Sequence, residues 1–110
     1  MNCMGCDKDF KENEIHESHD VPCYLFPGAN RKERKQHADK FGRRDLCKKC
    51  HDEYELKIIK ILYLNLYRKE IEYEENLSPY MKKIWRLCES DEKKRELAIK
   101  ICKKINVEKK

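Results

Sequence analysis

Apolar residues are spaced differently in the two parts of this 110-residue chain. Beyond about residue 52 they recur at helical intervals. Ile59, Leu62, Tyr63 and Leu66 form one stripe of a helix that opens near Cys47 and is expected to run to about residue 74. Ile61 and Leu64 fall on the opposite side, near Lys57, Lys60 and Arg68, a width of apolar surface that predicts burial on more than one face. Ser78-Pro79 predicts a second helix, with Ser as cap and Pro in a first turn where its missing N–H is harmless. Tyr80, Ile84, Leu87 and Cys88 then face inward. Ser90 or Asp91 caps a third helix, on which Leu97, Ile101 and Ile105 recur every fourth residue. Such stripes are read as core, with Cys88 and Cys102 as small hydrophobes and Trp85 as core or interface anchor.

Before residue 52 the pattern changes. This part holds five of the seven cysteines, all four histidines, all three glycines and two of the three prolines. Ile15 to Val21 has the length of a short strand, and Pro22 and Pro27-Gly28 interrupt regular structure after it. The chain therefore divides into a loop-and-metal module, residues 1–57, and a helical extension, residues 58–110. With 39% hydrophobic and 43% charged residues, a large apolar core is not expected, and chains this polar often need a metal, disulfides or a partner.

Charge alters the picture locally. Residues 31–44 carry seven basic and two acidic side chains, a net of +5 equal to that of the whole chain. Such a block either tracks a phosphate backbone, through Arg31, Lys32, Arg34, Lys35, Arg43 and Arg44, or is a solvated loop. No N-terminal segment reads as a signal peptide and no run reaches the roughly 20 apolar residues of a membrane span. A cytoplasmic, reducing location is expected, where paired cysteines are metal ligands more often than disulfides.

Two C-x-x-C pairs, Cys3/Cys6 and Cys47/Cys50, stand 40 residues apart. A two-residue spacer brings both sulfurs of a knuckle to one ion, and two knuckles make the four-thiolate tetrahedron that structural Zn²⁺ prefers. Gly5 is expected to permit the sharp turn of the first knuckle. A redox pair or a C-x-x-C-H haem attachment at Cys47–His51 accounts for one pair only; Cys23 is a spare thiol. His16, Glu17, Ser18, His19, Asp20, His37 and Asp39 lie between the knuckles, with His51 just after them. Histidines and carboxylates at this density suit a second metal that activates water and stabilises charge on a phosphate.

Cys3-x-x-Cys6, Ser18-His19-Asp20-Val21-Pro22 and Leu46-Cys47-Lys48-Lys49-Cys50-His51 together resemble the zinc-containing, ββα-metal HNH endonucleases. The resemblance covers residues 3 to about 55. It implies a small α+β fold: a two-stranded hairpin crossed by a helix and pinned by zinc, followed here by two or three C-terminal helices. It implies a nuclease that cleaves DNA, with His19 as general base and His51 as ligand of a catalytic Mg²⁺, Mn²⁺ or other divalent ion. Where the family places a ligand before the base, this chain has Ser18, so Asp20, Glu17 or His16 is left to supply it. The family's middle Asn is absent, and His37, Asp39 or Asp45 is left to stand for it. The alternative is a non-catalytic zinc module that binds nucleic acid or a protein. A homodimer through the C-terminal helices is the other partner expected.

Overall fold

The computed structural model describes residues 1–108. Strand β1, Ile15–His19, pairs antiparallel with β2, Arg43–Cys47, in the register Ile15 opposite Cys47 and His19 opposite Arg43. β1 stops two residues short of the expected Val21. The Asp20 N–H donates to the Gly42 carbonyl, and Pro22 then leads into a 3₁₀ turn at Cys23–Leu25. Gly42 has φ +99°, and a Cβ there would lie 3.0 Å from Asp20 Oδ2, so this corner favours glycine twice over.

The first part of the basic block is a helix, not a loop, and its last two residues, Arg43 and Arg44, begin β2. α1, Arg31–Asp39, fills the excursion between the strands. Asn30 caps it by accepting from the Glu33 N–H, and Glu33 Oε2 accepts from the Ala29 N–H. Only Ala38 of this helix is buried. Caps, not an apolar stripe, define α1, which is why hydrophobic periodicity does not reveal it.

α2, Lys48–Tyr67, begins directly after β2 and crosses the ribbon. Tyr54, Ile58, Ile59, Leu62, Tyr63 and Leu66 are buried, whereas Leu64 is 48% exposed. Of the two residues expected on the opposite side, Ile61 is partly buried against the core and only Leu64 faces solvent. The helix ends seven residues before the expected position because Arg68 adopts a left-handed conformation, φ 58°, while donating to the Leu64 carbonyl. The following turn is held by the Tyr80 hydroxyl, which accepts from the Glu72 and Tyr73 N–H groups, and by a Lys60–Glu74 ion pair.

α3, Ser78–Ser90, carries Pro79 in its first turn, but Ser78 is not its cap. Asn76 Oδ1 accepts from the Ser78 N–H instead. α4, Glu92–Glu108, is capped as expected by Asp91, whose carboxylate accepts from Lys93 and Lys94. Its inward stripe is Ala98, Cys102 and Ile105; Leu97 is 40% exposed. Cys88 and Cys102 are fully buried, and burial pushes their thiols up to about 11 and about 12, as expected of packing groups.

The result is a small α+β fold: a ββα core with a buried cysteine cluster, covered by a C-terminal helical layer. Val21, Leu25 and Phe26 from the excursion join α2, α3 and α4 in one core. A polar knot ties the layers together. Tyr54 donates to the Asp20 carbonyl at 2.8 Å and to Asn106 Oδ1 at 3.0 Å. Asn106 Nδ2 donates to the same Asp20 carbonyl at 3.1 Å. Arg44 lies over the Tyr54 ring and donates to Asp20 Oδ1 at 3.1 Å and to Asn106 Oδ1 at 3.2 Å. No helix among the described residues is long and apolar enough to cross a membrane.

Candidate metal centre

The N-terminal knuckle is folded by its own backbone. Cys3 N–H donates to the Lys8 carbonyl, Asp7 N–H to the Cys3 carbonyl, and Met4 N–H to the Asp45 carbonyl on β2. The left-handed residue of this turn is Asp7, φ 61°, and not Gly5. Gly5 is required for room: a Cβ there would stand 3.1 Å from both Cβ and Sγ of Cys50. Gly5→Ala is therefore expected to weaken zinc binding by about 1–3 kcal/mol, the usual cost of overpacking. Competition against a chromophoric chelator, with circular dichroism as the folding control, measures it.

This knuckle meets the one at the junction of β2 and α2. The ligand atoms of Cys3, Cys6, Cys47 and Cys50 all lie within 4.8 Å of one another. Four sulfurs about 2.3 Å from one ion fit that spread, and an all-thiolate set is the donor chemistry of structural zinc. Two backbone N–H groups, of Gly5 and Cys47, donate to Cys3 Sγ at 3.3 Å. Burial raises the Cys3 thiol, but these donors and its sulfur neighbours outweigh it and hold the group at about 6. Burial and the neighbouring sulfurs push Cys50 the other way, to about 12. The Cys3 thiolate thus forms readily, while Cys50 retains its proton until a cation displaces it.

On the other side of the ribbon is a cleft of about 340 Å³, lined in part by Glu17, His19, Cys23, Arg31, Arg34 and His51. His19 and His51 are thus brought to one cavity. His19 Nε2 is 2.6 Å from Asp39 Oδ1, and its Nδ1 is 3.7 Å from Cys23 Sγ. The bond to His19 holds the Asp39 carboxyl below its ordinary range. Of the three polar residues left open for the middle position, Asp39 is the one that reaches His19. His37 stacks on Phe26, and Asp45 meets the first knuckle through its carbonyl. His51 stacks on His16 with centroids 5.8 Å apart, and its Nδ1 has no hydrogen-bond partner among the described residues.

Asp20 is turned elsewhere, its carboxylate bound to Arg44. Glu17 meets Arg43 at 3.2 Å and Lys35 at 3.9 Å. Among the described residues the cysteine cluster is the only group of three or more His, Cys, Asp or Glu side chains whose ligand atoms converge. The basic residues are likewise divided. Arg31, Lys32, Lys35 and Arg43 are exposed, Arg34 lies over the Trp85 ring, and Arg44 belongs to the polar knot. The roles of Tyr54, Asn106 and Asp39 follow from contacts between residues distant in the chain, which no local pattern announces. The ribbon, crossing helix and cysteine cluster are features of HNH-like, ββα-metal folds in general. No protein family, curated protein or solved structure matches the chain.

Proposed function

We propose that this chain is a zinc-pinned ββα module that binds the phosphate backbone of nucleic acid without cutting it. The observation that carries the reading is a contrast between two sets of side chains. Ligand atoms converge on the cysteine cluster alone among the described residues, while Arg31, Lys32 and Lys35 stand exposed along α1 beside the cleft. Zinc supplies no chemistry in this reading; it fixes the knuckles so that α1 and β2 present their cations from a rigid base. DNA is the expected partner, held by charge more than by base recognition.

The test is fluorescence anisotropy of a labelled duplex at rising salt. Binding is expected to weaken steeply with salt, because neutralised phosphates release counterions. Each of Arg31→Ala and Lys32→Ala is expected to reduce the log–log salt slope by about 0.9. Salt-independent binding, or slopes unchanged in both variants, would remove the proposal.

A second reading, a metal-dependent nuclease, is favoured by one observation: His19, tethered to Asp39, shares a cleft with Glu17 and His51. His19 would be the base and His51 a ligand of Mg²⁺ or Mn²⁺. Asp20 would serve as a second ligand only by leaving Arg44, whereas Glu17 already lines the cleft. Plasmid cleavage with either ion that vanishes in His19→Ala would replace the binding-only proposal with this one.

A further inference from the structure

Cys23 opens the 3₁₀ turn Cys23–Leu25, is partly exposed, and lines the cleft with Arg31. Unlike Cys88 and Cys102 it is not sealed in the core, and unlike the four clustered cysteines it has no sulfur neighbours in a ligand group. Its Sγ lies 3.7 Å from Nδ1 of His19, whose Nε2 lies 2.6 Å from Asp39 Oδ1. A carboxylate only accepts hydrogen bonds, so in the neutral imidazole Nε2 carries the proton and Nδ1 presents its lone pair. The atom facing the thiol is therefore the one able to take its proton. Nucleophile, base and a third group that orients the base form one chain.

We propose that Cys23 is a nucleophilic thiol, with His19 as its base and Asp39 as the positioning residue, acting on activated acyl esters that carry an anionic group. The Cys23 proton passes to His19 Nδ1 as the sulfur bonds to the ester carbonyl carbon. The carbon–oxygen bond then breaks, and the leaving alcohol takes the proton back from His19. A thioester on Cys23 remains, and water hydrolyses it to a carboxylic acid and the free thiol. Burial raises the Cys23 thiol, so it holds its proton at rest and needs the base during attack. Arg31, at the cleft wall, supplies the preference for an anionic acyl group. This proposal does not depend on nucleic-acid binding.

The zinc-loaded full chain is mixed with 4-nitrophenyl acetate and, separately, with a 4-nitrophenyl ester bearing a carboxylate tail. A nitrophenolate burst stoichiometric with protein is expected, faster with the anionic ester, with the acyl mass on the Cys23 peptide. Cys23→Ser abolishes the burst. His19→Ala slows it at least ~100-fold, the low end for general-base assistance, and added imidazole restores it. Asp39→Asn slows it several-fold with zinc content unchanged, and Arg31→Gln removes the preference for the anionic ester. Acylation confined to lysines or the zinc-cluster cysteines would overturn the proposal. So would equal rates in wild type and Asp39→Asn, or a slowed His19→Ala that imidazole does not rescue.

Discussion

Removing zinc from the folded chain is expected to lower its thermal unfolding midpoint by about 20 °C or more. The N-terminal half contributes few large apolar side chains to the core: besides the small Ala38, its buried aliphatic and aromatic residues are Val21, Leu25, Phe26, Leu46 and Tyr54. What organises the first knuckle instead is closure of the 40-residue interval between the cysteine pairs. Structural zinc contributes about 10–16 kcal/mol to small domains at neutral pH, and each kcal/mol moves the midpoint of a domain this size by about 4–8 °C. The helical layer retains part of its packing without metal, so the expected shift is well below that product. Thermal scans by circular dichroism, with and without a strong chelator, measure it; a shift of only a few degrees would mean that the cluster is not a structural site. Acid should act in the same direction. Zinc requires thiolates, and burial among sulfurs holds the Cys50 proton tightly, up to about 12. Lowering the pH strengthens proton competition at every sulfur, so zinc retention falls as pH falls and is regained as pH rises.

Arg44→Ala is expected to destabilise the fold by about 2–3 kcal/mol while leaving the salt dependence of nucleic-acid binding unchanged. Its guanidinium bonds Asp20 and Asn106 and covers Tyr54, and the Arg44 and Asp20 side chains are each 21% exposed. Breaking a fully buried ion pair costs about 3–5 kcal/mol, and the partial exposure here reduces that. Arg31→Ala should behave in the opposite way, with stability unchanged and a shallower salt slope. Urea melts of both variants beside the anisotropy series separate a cation that holds the fold from one that faces solvent. A shallower salt slope with unchanged stability in Arg44→Ala would assign it to the binding surface.

The cluster and the first strand of the ribbon are legible because both rest on local rules. The C-x-x-C spacing fixes which sulfurs can share an ion, and Ile15 to Val21 has strand length with Pro22 after it, while the partner strand, Arg43–Cys47, follows only from the family resemblance. Periodicity does not reveal α1, because its positions carry charge where a stripe would carry apolar residues. Its signal was Asn30 followed three residues later by Glu33, a cap motif inside a segment dominated by Lys and Arg. The end of α2 leaves no local signal, because Arg68 takes a left-handed conformation with no glycine to mark it. In the cleft, the histidines were identifiable by type, but their partners were not. That Asp39 reaches His19 depends on α1 folding back over β1, and that Asp20 turns to Arg44 depends on the strand register. Long-range polar contacts of this kind carry no periodic trace.

The Asn106–Asp20 hydrogen bond has a consequence for synthesis. It joins positions 86 residues apart, whereas the thiolate cluster needs nothing beyond Cys50. On the ribosome the knuckles can capture their ion early, while the cleft wall at Cys23 and Tyr24 waits for α3 and α4 to emerge and cover it. Val21 and Leu25, which share one core with α3 and α4, are therefore expected to stay uncovered until those helices have been made.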